Sequence, residues 1–196
     1  MTWEYVVFLV AYFLGAIPYA FLAGKIKGID IRHHGSGNLG ATNAYRLLGK
    51  KWGIAVLVFD ALKGALATYL CMLYFGPWGG VIGGLLAMIG HSYSPYFLFK
   101  PSGKGVACGF GVICILMPKV MLVGLAVFII VTAISRYVSL GSMFGALAVF
   151  VTALVFREHL ANIIFTAVSV VIVLLRHRAN IRRIIEGTEP KFGVKK

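Results

Sequence analysis

The chain has 196 residues, 60% of them hydrophobic and only 13% charged, where a soluble domain carries roughly 25% charged residues. Such a chain cannot be wrapped around a soluble core without leaving most of its surface apolar. The formal charge of +13, from 19 basic and 6 acidic residues, would suggest nucleic acid in a soluble protein; in a membrane protein it reads first as topology, because Lys and Arg hold loops inside, and second as anion binding.

The N-terminal flank Thr2-Trp3-Glu4 has no basic residues, and the first basic residues follow the first apolar run. This order argues against a cleaved signal peptide and for a permanent first helix with its N-terminus outside. Apolar runs are readable at 3–23, 53–75, 78–98, 105–117, 119–134, 139–156 and 160–175. Breaks fall at Lys25 onward, Gly76-Pro77, Pro95, Pro118-Lys119, Ser135-Arg136 and Arg157-Glu158-His159. A span needs about 20 residues to cross ~30 Å of hydrocarbon, so 105–134 could also be one long or re-entrant segment. Charge parity favours the split. With seven spans, only Lys119 and Arg157 face outside, Lys63 lies within a span, and every other Lys and Arg, through Lys195 and Lys196, faces inside. The expectation is an all-α polytopic membrane protein of seven transmembrane helices, N-terminus outside and C-terminus inside, forming a single domain over 1–196. No internal repeat or low-complexity segment interrupts it.

The polar clusters at 28–51, 91–105, 135–142 and 176–183 all fall on the inner side. The first contains Gly35-Ser36-Gly37-Asn38-Leu39-Gly40-Ala41-Thr42-Asn43-Ala44-Tyr45-Arg46. Its glycines allow close backbone approach, so that successive N–H groups can form an anion-binding nest. Ser36, Thr42 and Asn43 add donors, and the planar fork of Arg46 suits phosphate. The spacing Gly35-x-Gly37-x-x-Gly40 also matches a dinucleotide fingerprint, but no soluble strand precedes it and Asp60 lies within a span. Asp60 and Lys63 stand one helical turn apart and read as a structural ion pair.

In the second cluster, Gly103-Lys104-Gly105 sets a lysine just before a helix start, where anions are favoured; it lacks the rest of a Walker loop. The third, Ser135-Arg136-Tyr137-Val138-Ser139-Leu140-Gly141-Ser142, is weaker, with serines suited to cap the next helix. In the tail, His177 and Asn180 share a helical face, and Arg178, Arg182 and Arg183 would alone suggest a lipid-headgroup anchor. Cys71, Cys108 and Cys114 lie in apolar runs without a CxxC pair, which reads as buried small residues. No HExxH or GxSxG occurs.

The strings GSGNLGATNAYRLLGKKWG, SGKGVA, SRYVSL and HRANIRR, in this order and between these spans, closely resemble the bacterial membrane glycerol-3-phosphate acyltransferases of the PlsY family. The resemblance covers nearly the whole chain; Pro101, Ser102 and Cys108 depart from the family's usual second motif, and Gly141 replaces a common alanine in the third. It implies transfer of a fatty acyl group from acyl-phosphate to the sn-1 hydroxyl of glycerol 3-phosphate, at the cytoplasmic face of the bacterial inner membrane, without cofactor or metal. Its partners would be those two substrates and the bilayer, with no nucleic acid. Motifs and resemblance together name Ser36, His177 and Asn180 as catalytic. Substrate binding falls to Ser36, Gly37, Asn38, Gly40, Thr42, Asn43, Arg46, Gly103, Lys104, Gly105, Ser142, His177 and Asn180. Two phosphate-bearing substrates account for two glycine-rich basic loops on one face. An anion transporter would carry polar residues through both leaflets, often with repeats; a structural lipid-binding protein would not need the ordered Gly/Asn/Ser/Arg pattern. For the proton released by the attacking hydroxyl, two acceptors are open: His177, kept neutral by Arg176 and Arg178, and the phosphate of the donor itself, which is the reading favoured here.

Overall fold

The computed structural model describes residues 3–193; Thr2, Lys195 and Lys196 lie outside the described residues. Among the described residues, apart from an isolated bridge between Tyr93 and Pro101, the regular structure is helical. The chain divides into two compact units between Leu116 and Met117.

In the first unit, α1 (Val6–Ala16) and α2 (Tyr19–Ile26) occupy the stretch that the sequence reads as one span, 3–23. Pro18 divides it, because proline has no N–H and drives the residue before it out of the helical region. Ile17 accordingly sits at ψ 119°, and the two pieces bend by 41°. The carbonyls released at the end of α1 are capped by side chains: Ser94 Oγ donates to Ala16 O (3.0 Å) and Lys63 Nζ to Ile17 O (2.7 Å). A cation there also meets the negative end of the helix dipole. The short α3 (Ala41–Leu48) follows the first glycine-rich loop.

Helix α4 (Lys50–Ser92) is two limbs joined at a sharp break. Phe75 and Gly76 leave helical geometry (φ −131°, ψ 17° and φ 60°, ψ −155°) immediately before Pro77, at the Gly76-Pro77 break expected from sequence. The limbs return antiparallel: a Cβ on Gly83 would stand 2.5 Å from Cys71 Sγ, and one on Gly84 3.0 Å from Thr68 Oγ1. The hairpin brings His91 of the second limb opposite Asp60 of the first. The second limb ends at Ser92, short of the expected 78–98. After Pro95 the chain makes a 3₁₀ turn, and Leu98 and Phe99 take positive φ.

Lipid offers no hydrophobic drive between helices, so their packing relies on small residues that let backbones meet. A Cβ on Gly15 would overlap the Ala87 backbone, and one on Gly90 would overlap Tyr12 O. Helix α5 (Val106–Leu116) lies equally close to the first limb of α4, where Gly64 meets Cys108 O and Gly111 meets Ala61 O. At 11 residues, α5 extends only about 16 Å, roughly half the hydrocarbon thickness.

The second unit contains α6 (Pro118–Ser135), α7 (Val138–Val155), α8 (Leu160–Arg176) and α9 (Arg178–Ile185). Pro118 takes the first helical position of α6, where a missing N–H costs nothing, so 105–134 is divided into two helices at this break, the first of them shorter than a full span. Helices α6 and α7 are each 18 residues long and apolar enough to cross a membrane. They pack through Gly124 against Val149 and through Gly145 against Phe128. The serine cap expected for α7 is absent: its N-cap is Tyr137, without a side-chain bond. Ser135 Oγ instead donates to Val131 O (2.6 Å) and accepts from Tyr137 N (3.1 Å), finishing α6. Helices α8 and α9 bend by 53° about His177. Large apolar side chains such as Leu57, Leu62, Ile129, Ile130 and Val155 point outward, as a lipid environment allows.

Candidate active site

The first glycine-rich loop is built on local hydrogen bonds. Asp30 caps the 3₁₀ turn Ile31–His33; its Oδ1 accepts from Arg32 N (3.2 Å) and Nε (2.9 Å), and its Oδ2 from Arg32 Nη2 (2.6 Å). These bonds from Arg32 hold the Asp30 carboxyl well below the usual carboxylate range. Gly35 and Gly37 then turn the chain with φ of 62° and 67°. Buried Asn43 stitches the loop from inside. Its Oδ1 accepts from Ser36 N (3.1 Å), and its Nδ2 donates to His34 O (3.3 Å) and Ile31 O (3.5 Å). Gly40 is the N-cap of α3. Thr42 and Arg46, one turn apart on that helix, are exposed, as is Ser36.

The second loop is fastened to the end of α4. Ser102 N donates to Ser92 O (2.9 Å), while Ser102 Oγ (2.9 Å) and Gly103 N (3.2 Å) both donate to His91 O. Gly105, at φ 80°, leads directly into α5. Half-buried Lys104 therefore stands beside the positive end of a helix. The two loops are also joined to each other. Ser102 O accepts from Asn38 Nδ2 (2.8 Å) and from Leu39 N (3.2 Å). Ser36, Gly37, Asn38, Gly40, Thr42, Asn43 and Arg46 thus belong to one assembly with Gly103, Lys104 and Gly105. An open groove of ≈ 390 Å³ runs beside the junction, with Arg32, Lys100 and Ser102 among its polar lining and Leu39, Phe97 and Leu98 among its apolar lining.

The remaining named residues lie in the second unit. His177, 2% exposed, sits at the bend between α8 and α9. Its Nδ1 is 2.8 Å from Val173 O. A carbonyl can only accept, so Nδ1 carries the proton and a neutral ring presents its lone pair on Nε2. Buried Asn180 donates through Nδ2 to Glu189 Oε1 (2.6 Å). The same carboxylate receives Ser139 Oγ (2.8 Å) and Arg183 Nε (2.7 Å). Burial pushes the Glu189 carboxyl up, but the hydrogen bonds from Asn180, Ser139 and Arg183 outweigh it, and the net shift is downward. The tail is tied down further by Phe192 N donating to Arg136 O (2.7 Å). Buried Ser142 donates to Val138 O (2.8 Å) within its own helix.

Sequence reasoning missed Glu189. It follows Gly187-Thr188, beyond the last polar cluster, and only the folded tail brings it to Asn180. It also missed Ser102, which joins the two loops through its backbone carbonyl and ties the second to α4 through its N–H and Oγ. The Asp60–Lys63 pair was legible from its spacing and is present, with Oδ1 to Nζ at 2.7 Å. Its third member, His91, has Nδ1 3.5 Å from the same oxygen, and no local spacing marks it.

A family model described as glycerol-3-phosphate acyltransferase matches residues 5–187. The glycerol-3-phosphate acyltransferase of Geobacillus kaustophilus is 46% identical, covering 94% of each chain. That of Trichlorobacter lovleyi is 45% identical over 93% of this chain and 94% of its own. Crystal structures of PlsY (YgiH), an integral membrane glycerol 3-phosphate acyltransferase, superpose at 36% identity. The glycerol 3-phosphate form gives a TM-score of 0.93 over 97% of this chain and 96% of that one. The lysophosphatidic acid form gives 0.90 over 97% and 95%. Glycine-rich loops fastened through Ser102, basic residues at their rim, and relatives alike over nearly their full length lead to one conclusion: the chain belongs to the PlsY family of membrane glycerol-3-phosphate acyltransferases.

Proposed function

We propose that the protein transfers a fatty acyl group from acyl-phosphate to the sn-1 hydroxyl of glycerol 3-phosphate, releasing lysophosphatidic acid and inorganic phosphate in phospholipid biosynthesis. The observation that carries this reading is the double acceptance at Ser102 O, from Asn38 Nδ2 and Leu39 N, which fastens two basic, glycine-rich loops into one anion cradle. Relatives crystallised in glycerol 3-phosphate and lysophosphatidic acid forms support the acceptor and the product. The decisive measurement is acyl transfer from acyl-phosphate to radiolabelled glycerol 3-phosphate by the purified protein. No labelled lysophosphatidic acid, with both substrates intact, would overturn the reading. Efficient turnover with acyl-CoA in place of acyl-phosphate would overturn the donor assignment alone.

In the reaction, the sn-1 oxygen adds to the acyl carbonyl, an ester C–O bond forms, and the acyl–oxygen bond to phosphate breaks. Arg46 and Lys104 hold phosphate charge, with the exposed side chains of Ser36 and Thr42 in support. His177 and Asn180 orient substrate. The hydroxyl proton passes to an oxygen of the donor phosphate, so the protein acts by positioning and charge stabilisation. A side-chain base would contribute about 10²–10⁴-fold. His177→Asn keeps hydrogen-bonding capacity without basicity, so this account expects a kcat loss well below that range. A folded, substrate-binding variant that loses about 10³-fold or more would make His177 the base.

The same proposal includes one integral membrane domain with seven spans, N-terminus outside and C-terminus inside, in the bacterial inner membrane with the cradle facing the cytoplasm. The family match running across both units supports a single functional domain. Thr2→Cys and Pro190→Cys should label from opposite sides of intact cells; labelling from the same side would sink this topology.

A further inference from the structure

We infer that Asp60 and His91 are positioning residues for the Lys104 loop, and not only members of a buried ion pair; the inference rests on the cradle reading above. Lys63 has a complete structural account: it pairs with Asp60 Oδ1 (2.7 Å) and caps Ile17 O (2.7 Å). Asp60 does not. It is 1% exposed, its Oδ1 also stands 3.5 Å from His91 Nδ1, and its Oδ2 has no hydrogen-bond partner among the described residues. A pair kept for neutrality alone needs no third titratable group, and a buried acceptor without a partner is costly.

His91 explains the arrangement, because it touches the cradle by two routes. Its carbonyl accepts from Ser102 Oγ and Gly103 N. Its ring lies flush against Gly103, so that a Cβ there would overlap Nε2, Cδ2 and Cε1. The imidazole is thus the floor on which Gly103 rests, and Asp60, from the facing limb of α4, sets the tilt of that floor. A rotated or shortened side chain at 91 displaces the backbone that carries Lys104. Misplacing a substrate-holding group by an ångström is enough to cost about a hundredfold in rate.

The test uses the full-length enzyme with acyl-phosphate and glycerol 3-phosphate. His91→Asn and Asp60→Asn should raise the KM of one substrate about tenfold to a hundredfold, and it should be the same substrate whose KM rises in Lys104→Ala. Because His91 acts through Lys104, the double variant His91→Asn/Lys104→Ala should be nearly as active as Lys104→Ala alone. Fully multiplicative losses, or a lowered melting temperature with unchanged KM and kcat in the folded fraction, would make the network merely structural and overturn the inference. If His91→Asn does not fold, His91→Gln takes its place in the same cycle. Normal kinetics in Lys104→Ala would remove the cradle reading and this inference together. An impaired Lys104→Ala beside normal His91 and Asp60 variants would remove this inference alone.

Discussion

The polar end of the first unit and that of the second solve different problems. Around residues 35–46 and 100–105 the structure is held by backbone groups and amide side chains, while Ser36, Thr42 and Arg46 stay exposed. Around 177–192 the order is reversed. His177 and Asn180 are buried, and Asn180, Ser139 and Arg183 already share an internal anion, the Glu189 carboxylate. One end leaves the Arg46 charge exposed; the other uses charge to hold its own tail. Conserving net charge at the first should matter for substrate affinity, and at the second for integrity.

Substitutions can separate the two roles. The largest effect is expected from Arg46→Ala or Lys104→Ala. Each removes charge-assisted bonds worth about 1.5–3 kcal/mol in the bound state, so kcat/KM should fall about tenfold to a hundredfold while thermal unfolding barely changes. Wild-type kinetics in both would break the comparison at its first half. Next comes Glu189→Ala, which strands three donors. Unfolding should become easier by about 1–3 kcal/mol, with Glu189→Gln milder because an acceptor remains. A loss of activity at unchanged stability would instead assign Glu189 to the chemistry.

Asn38→Ala deletes the side-chain bond to Ser102 O and should cost about 0.5–1.5 kcal/mol, read as a few-fold rise in KM from a loosened cradle. The smallest effect is on pH dependence. The Glu189 carboxyl is lowered in the folded state, so its stabilisation is complete above the ordinary glutamate value of about 4.3 and fades as pH falls through the lower folded value. Hydrogen-exchange protection of residues 187–193, corrected for intrinsic rates, should hold from neutral pH to about 5 and weaken below about 4. Glu189→Gln should abolish that dependence.

What the sequence disclosed was local chemistry. Gly76-Pro77 and Pro118 break helices wherever they stand, and Asp60 with Lys63 one turn on must pair in an apolar run. Pro18 escaped notice because apolar residues continue on both sides and hide the bend. The segment Tyr96–Phe99 is apolar enough to extend a helix, yet Pro95 and the positive φ at Leu98 and Phe99 make it a loop. In the site, the glycines and cations were legible as residue types suited to phosphate. The inward role of Asn43, the carbonyl of Ser102, the approach of Glu189 and the facing of His91 to Asp60 were not. Each depends on a contact between distant segments or on a main-chain atom, which no residue type announces.

The glycines at the helix crossings bear on how this protein could be made sturdier for handling in detergent. Replacing a helical glycine with alanine ordinarily gains about 0.4–1 kcal/mol by restricting the unfolded chain. At Gly15, Gly64, Gly90 and Gly111 that gain is closed off, since the added methyl would run into the main chain of a neighbouring helix. Gly80 differs: the nearest atoms to its new methyl are side-chain atoms, the mobile Leu116 Cδ2 at 3.1 Å and the stiffer Met72 Cβ at 3.2 Å, so a shift of a few tenths of an ångström would admit it. A thermostability screen would do best to begin at Gly80 and leave the crossings untouched.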